Sequence, residues 1–153
     1  MMDSRQSKAE HTLIPQLREL LQSEIQTAYC QALLDQGIDA YLRKIYDLAE
    51  IASLTEAEGI KGFIAFYCND PTKDSAFITM LIVNSSCCGQ GIGYALLSLA
   101  LNIMRTRLFR VCRLQVHQDN IAAIKLYERC GFIFIKGNTV KDNTEYRLME
   151  CVL

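Results

Sequence analysis

Residues 76–97 read AFITMLIVNSSCCGQGIGYALL. The first nine, Ala76 to Asn84, are rich in β-branched and large apolar residues and carry no charge. Such a run predicts a strand buried on both faces, and therefore a central one. SSCCGQG breaks it. Ile92, Leu96, Leu97, Leu99, Ala100, Ile103 and Met104 then predict a buried helix over 92–107. Between the two lie Gly89, Gly91 and Gly93, three of only eight glycines, at every second position. A turn needs one glycine, or two. A glycine-rich turn that enters a helix presents free N–H groups, and the helix dipole adds positive potential there. That makes an anion site for which a diphosphate is a natural guest. The competing reading is that the glycines only let strand and helix pack closely. On the loop alone the two readings stand even. Neither familiar phosphate motif is present. Position 94 is Tyr where a P-loop needs its second Gly, and the dinucleotide pattern G-x-G-x-x-G/A ends on Tyr94 or Leu96.

Downstream, RVCRLQVH (110–117) predicts a strand with Cys112, Leu114 and Val116 on one face. NIAAIKLYERC (120–130) predicts a helix ended by Gly131, and FIFIKGN and EYRLMECVL predict two closing strands. Upstream, residues 1–10 are polar and expected to be loose. Leu13, Leu17, Leu20, Leu21, Ile25, Ala28, Tyr29 and Ala32 then recur at helical spacing, with Pro15 in a first turn and Gly37 as the stop. Asp39 is a candidate cap for a second helix carrying Tyr41, Leu42, Ile45, Tyr46 and Leu48. Strands are expected near 49–55 and 60–68, around an Ala57-Glu58-Gly59 turn, with a loop at NDPTKDS. The strand–helix–strand unit at 76–117 implies a parallel pair joined by a right-handed crossover. The fold class is therefore α+β, or mixed α/β: a central mixed sheet flanked by helices, with a helical N-terminal segment, in one domain over 1–153.

Composition narrows the function. The chain has 153 residues, half of them apolar and 22% charged, with a net charge of −1. That balance gives no reason to expect nucleic acid or an anionic membrane as partner. The longest apolar stretch, Gly91 to Met104, is interrupted by Ser98 and Asn102 and falls short of the roughly 20 residues a membrane span needs. Seven cysteines occur without a C-x-x-C, and neither His11 nor His117 has metal-ligand spacing, so no metal is expected. Reduced thiols in a cytoplasmic protein are the expectation.

The second constellation is NIAAIKLYERCGF, with Asn120, Ala123, Leu126, Tyr127, Gly131 and Phe132. Together with Cys88-Gly89-Gln90-Gly91-Ile92-Gly93 it resembles the GNAT superfamily of acyl-CoA-dependent N-acetyltransferases. That superfamily carries [QR]-x-x-G-x-[GA] after its central strand and N-x-x-A-x-x-L-Y-x-x-x-G-F one strand later. The resemblance covers about residues 50 to 150. It implies acetyl-CoA as cosubstrate. Cys88, Gly89, Gln90, Gly91, Ile92 and Gly93 would cradle the diphosphate through their amides. The backbone of Leu81, Ile82 and Val83 would bond the pantetheine arm, and Asn120 would bind that arm from the other side. There are departures. Cys88 stands where Gln or Arg is usual, which removes a phosphate contact and implies weaker binding. No strand precedes the first helices, and 76–83 contains no carboxylate to act as base.

N-acetyl transfer needs a neutral amine, donors for the oxyanion and an acid for the leaving thiolate. The resemblance implies an oxyanion donor near Ile82–Val83 and Tyr127 as the acid. The alternative for Tyr127 is a packed helix residue with its hydroxyl in solvent. His117, at a strand end beside Asn120, has a suitable unperturbed pKa for the base; a plain surface histidine is the alternative, and Asp70 and Glu50 are weaker candidates. Glu128 and Arg129 read as a solvated helix face. The acceptor is expected to be a small-molecule amine, lying among Tyr41, Tyr46, Tyr67, Asn69 and Asp70. AFYCNDPTKDSAFITMLIV looks like proteins of bacterial surface-polysaccharide gene sets, which points to an amino sugar; polyamines, amino acids and protein N-termini stay open. The sequence also allows a homodimer. A different class, a non-catalytic module of the same fold that senses acyl-CoA, is favoured by Cys88 and the acid-free strand and opposed by Tyr127 and Asn120.

Overall fold

A computed structural model describes the backbone of residues 4–24, 30–140 and 143–153. The elements are α1 (Ser4–Glu24), α2 (Gln31–Gln36), α3 (Ile38–Leu48), β1 (Glu50–Glu56), β2 (Gly59–Tyr67), β3 (Ser75–Val83), a 3₁₀ turn (Ser85–Cys87), α4 (Ile92–Thr106), β4 (Val111–His117), α5 (Ile121–Arg129), β5 (Ile133–Val140) and β6 (Asn143–Val152). The six strands form one sheet in the order β1-β2-β3-β4-β6-β5. The β3–β4 pair is parallel and its neighbours are antiparallel, so the sheet is mixed as expected.

The N-terminal helical segment differs from the sequence reading. One helix ending at Gly37 was expected, but Cys30 is extended and α2 starts afresh at Gln31. Ile25, Ala28 and Tyr29, which carried the periodicity across, lie outside the described residues. The backbone is helical from Ser4, so Pro15 sits inside α1 rather than in its first turn. Apolar spacing could not mark that start, because residues 4–10 are polar. Gly37 does stop α2: its N–H donates to the Leu33 carbonyl at 2.8 Å and its φ is +83°. The same glycine caps α3, and Asp39 is displaced from that role. Asp39 lies in the first turn, where a carboxylate complements the helix dipole, and accepts from Arg18 Nε of α1 at 2.7 Å.

Two cores sandwich the sheet. On one face α4 and α5 close over Ile64, Phe66, Ile78, Leu114 and Met149. On the other, α1–α3 bury Leu17, Leu21, Leu42 and Ile45 against Phe63, Met80 and Ile82. Strand β3 serves both cores in an unusual way. Ala76 and Ile78 belong to the α4/α5 core, yet Met80 and Ile82, of the same parity, belong to the other. The pairing with β2 explains this. Ala65 pairs with Met80 and its neighbour Phe66 with Ile78, so Thr79 is an extra residue. A β-bulge of this kind shifts the alternation by one and increases the local twist. Beyond it, Leu81 and Val83 turn towards α4 and α5.

Gly62 on β2 is required by space. A Cβ there would meet the Ile82 carbonyl oxygen at 2.8 Å and Ile92 Cγ2 at 3.2 Å. The absence of a side chain lets the first residue of α4 rest on the sheet. Gly62→Ala is therefore expected to lower stability by about 1–3 kcal/mol through overpacking. Chemical denaturation should show a lower midpoint; an unchanged midpoint would contradict this packing.

Candidate active site

Strands β3 and β4 pair only from Ser75 with Val111 to Ile78 with Leu114. Beyond the Thr79 bulge, β3 runs on to Val83 and β4 to His117 without pairing. The edge of β3 over 80–83 therefore keeps β2 on one side and lies open on the other. An open strand edge is a template for an extended ligand with amides of its own. A small cavity of about 30 Å³ sits in the fork, lined by Thr79, Leu81, Gln115, His117, Asn120 and Tyr127, among others. That is room for about one water molecule. Leu81, Asn120 and Tyr127 also line a cleft of about 560 Å³ that runs past Ile82 and Val83 to the glycine loop and the start of α4.

The loop glycines have two different causes. Gly89 and Gly91 have φ of +85° and +76°, and a Cβ on either would meet nothing within 4 Å. Their backbone conformation is what only glycine takes readily. Gly91 is the N-cap of α4 and, having no side chain, leaves the first-turn amides without a side-chain acceptor. Gly93 is helical, but its Cβ would lie 3.1 Å from Leu126 Cδ2 of α5. So the glycines divide: Gly93 is there for close packing, whereas Gly89 and Gly91 are there for their backbone conformation. Gly89, Gly91, Ile92 and Gly93 line the cleft, and Cys88 joins them at its exposed rim. Gln90 does not; its Oε1 accepts from Lys61 Nζ at 3.5 Å.

Asn120 caps α5, its Oδ1 accepting from the Ala123 amide at 3.4 Å. This bond fixes the side chain at the meeting of the two cavities. Tyr127 lies two turns on and is buried, tilted against Phe132 with centroids 5.7 Å apart. Burial pushes its phenol well above the ordinary value, so it holds its proton firmly. The solvent-facing alternative for Tyr127 does not hold. Nor is His117 a plain surface residue: it is 9% exposed and stands edge-on to Tyr146. Its Nδ1 accepts the Asp119 amide at 3.1 Å, which leaves the hydrogen on Nε2, 3.4 Å from Glu145 Oε2.

Several other candidates fall away. Asp70 accepts from the Thr72 amide and hydroxyl at 2.9 and 2.8 Å, which holds its carboxyl below the usual range and shapes the loop before β3. Glu50 pairs with Arg107 at 2.9 Å, away from the cleft. Tyr41 is fully buried, its hydroxyl bonded to Thr79 Oγ1 at 2.9 Å, so it anchors the bulge from the α1–α3 side. Sequence reasoning missed Glu24, whose Oε1 accepts the Ser85 amide at 2.9 Å on the cleft wall. It also missed Cys30 in the fork, and Arg129, which lines the cleft rather than a plain solvated face. None has a local signal, since each reaches the site from a distant element. Among the described residues, no group of three or more His, Cys, Asp or Glu could hold a metal, and no helix is long and apolar enough to cross a membrane.

The mixed sheet thus forks beside its parallel β3–β4 pair, and a glycine turn beyond the end of β3 feeds α4 along the same cleft. The chain belongs to the acetyltransferase (GNAT) family, whose model matches residues 14–132. Solved structures share the fold. The ribosomal-protein-S18-alanine N-acetyltransferase of Escherichia coli is 21% identical with a TM-score of 0.70, over 91% of this chain and 86% of that one. PaiA N-acetyltransferase from Thermoplasma acidophilum, in complex with coenzyme A, is 20% identical with a TM-score of 0.67, over 95% and 94%. Aminoglycoside 6'-acetyltransferase type Ii is 16% identical with a TM-score of 0.73, over 92% and 89%. Comparison with curated proteins gives no match.

The positive φ at Gly91 generates a prediction. Gly91→Val must either accept a left-handed conformation, at about 1–2 kcal/mol, or re-aim the first amides of α4. Calorimetry should find acetyl-CoA affinity reduced at least about tenfold, with the circular dichroism of the fold retained. Unchanged affinity would contradict the cradle.

Proposed function

We propose that this acetyltransferase moves the acetyl group of acetyl-CoA to a primary amine by direct attack on the thioester. The observation that carries the reading is the fork between β3 and β4, where open strand backbone, Asn120 and Tyr127 converge. The pantetheine arm lies along Leu81–Val83 like an added strand, with the Asn120 side chain across from it. The diphosphate rests on the amides of the 88–93 loop and the start of α4. An amide near Ile82–Val83 donates to the oxyanion.

The amine nitrogen bonds to the carbonyl carbon and sheds a proton. The tetrahedral oxyanion then collapses, the carbon–sulfur bond breaks, and Tyr127 protonates the departing thiolate. A phenol of raised pKa is a poor acid towards a thiolate in water. Here the thiolate departs into the same desolvated cavity, which raises its basicity alongside that of the phenol. The amine proton goes to Nδ1 of His117, which releases the Asp119 amide to take it, while the Glu145 carboxylate, 3.4 Å from Nε2, stabilises the imidazolium that forms. The acceptor is a small-molecule amine, an amino sugar first among the candidates. The forms of the fold described above include enzymes named for an aminoglycoside and for a ribosomal protein, which supports a pocket adaptable in its acceptor. A cytoplasmic setting suits the thiol-rich sequence.

The test begins with a thiol-release screen of amines to find the acceptor. Tyr127→Phe then removes one oxygen and little volume. Acetyl-CoA should bind as before, while kcat falls roughly 10²–10⁴-fold in a regime where chemistry limits the rate. Full turnover by the variant would remove Tyr127 from the mechanism. Thiol release with no amine at all, despite tight acetyl-CoA binding, would favour the sensing module.

A further inference from the structure

Cys30 stands immediately before α2 in an extended conformation. Its side chain is half-buried, and its thiol donates to the Thr79 carbonyl at 3.6 Å. The sulfur thus rests on the bulge, at the root of the open β3 edge. Of the seven cysteines it alone lines the fork cavity, together with His117, Asn120 and Tyr127. Cys87 and Cys88 line the wider cleft, at the glycine loop. Cys68, Cys112, Cys130 and Cys151 line neither space, and burial pushes all four thiols up.

Across the cavity, Tyr127 is 7% exposed, and among the described residues its hydroxyl has no hydrogen-bond partner. Yet among those residues no fully buried polar side-chain atom is left without one. The hydroxyl therefore keeps a small open surface, and Tyr127 lines both the fork cavity and the cleft. An unpartnered donor turned into such a space is one that a ligand satisfies. Burial raises the phenol most, and charge on the Cys112 and Cys30 sulfurs adds to it, so the Cys30 sulfur lies within electrostatic reach of the phenol. A thiol and a proton-holding phenol that line one small cavity frame a carbonyl group between them.

We propose that Cys30 is an acetyl-accepting thiol: with no amine in place, the protein transfers the acetyl group of acetyl-CoA to its own Cys30 Sγ. This rests on the acetyl-CoA reading above, which lays the thioester in the fork. The Cys30 thiol gives its proton to Nδ1 of His117, on the same cavity, and the sulfur bonds to the carbonyl carbon. The tetrahedral oxyanion collapses, the bond from that carbon to the coenzyme A sulfur breaks, and Tyr127 protonates the departing thiolate. The imidazolium then returns its proton to the phenolate. One thioester replaces another, so the step needs no oxidant, reductant or further reactant. The ratio of acetyl-CoA to coenzyme A sets how much of the protein carries the group.

The measurement is intact-protein mass spectrometry of the full chain after incubation with acetyl-CoA and no amine, with coenzyme A binding followed by calorimetry alongside. A single acetyl group should appear on each chain, at a rate that saturates with acetyl-CoA. Neutral hydroxylamine should remove it, as it removes a thioester and not an amide. Coenzyme A thiol should be released once per chain, without turnover. Cys30→Ala should gain no acetyl group, and thermal unfolding confirms that this variant is folded. Peptide mapping of the wild type should place the group on Cys30, which tests the same point without a variant. A wild type that binds coenzyme A but stays unmodified would overturn the proposal and leave the acetyl-CoA reading standing. So would equal acetylation of Cys30→Ala, an acetyl group stable to hydroxylamine, or one mapped to Cys87 or Cys88. So would a rate that rises in proportion to acetyl-CoA without limit, which is the reaction of any exposed thiol. Failure of the wild type to bind coenzyme A would overturn both readings.

Discussion

A parallel sheet normally keeps its strands hydrogen-bonded along their whole length, because an unpaired amide in the interior costs free energy comparable to a lost hydrogen bond. Here β3 carries one residue too many at Thr79, and pairing with β4 ends at Ile78 and Leu114. The extra residue has three consequences at once. It bends β3 away from its neighbour and opens the fork. It leaves the strand edge beyond the fork unpaired. It also inverts the alternation, so that Met80 and Ile82 anchor in the α1–α3 core while Leu81 and Val83 face the cleft. The Tyr41 hydroxyl on Thr79 Oγ1 holds the irregularity from behind. The N-terminal helices thus support the site from the opposite face of the sheet.

The proposed diphosphate cradle at the end of β3 works with backbone rather than charge. Contributions of helix-terminus dipoles are typically 0.3–1 kcal/mol, whereas a hydrogen bond to a charged group is worth about 1.5–3 kcal/mol. Several amides aimed at one diphosphate can therefore replace a single side-chain cation. That requires fixed geometry, and the left-handed Gly89 and Gly91 supply it. The loop is also held at its start: Asn84 Oδ1 accepts from the Ser86 amide and hydroxyl, and the Asn84 amide donates to Lys61 of β2. Gly62 lets α4 sit low enough on the sheet for those amides to face the cleft.

Much of this was legible in the sequence. The acid-free run at 76–83, the alternating glycines and the Asn120–Phe132 pattern identified the central strand, the loop and the wall that carries Tyr127. These signals are local, because each is a chain of neighbours doing one job. What was not legible depends on distant elements meeting. The bulge has no glycine to mark it, and Thr79, the one polar residue of 76–83, reads as an ordinary β-branched strand residue. Its cause lies in the register with β2, and its anchor, Tyr41, reads as an ordinary core aromatic. Glu145 and Arg129 look like surface charges until β6 and α5 bring them beside His117 and Tyr94. Asp39 and Asp70 misled for the opposite reason, since their local patterns fit caps or bases while their carboxylates were already committed.

The central claim is that the open edge of β3 beyond Thr79 receives the pantetheine arm of acetyl-CoA. Amide hydrogen exchange of the whole protein, with and without acetyl-CoA, tests it most directly. Phe77 and Ile78 are paired on both sides and should exchange slowly in either state. Over 79–83, the amides that face the fork should exchange quickly in the free protein and become protected when acetyl-CoA is added. Protection confined to the 88–93 loop, with no change over 79–83, would contradict the account.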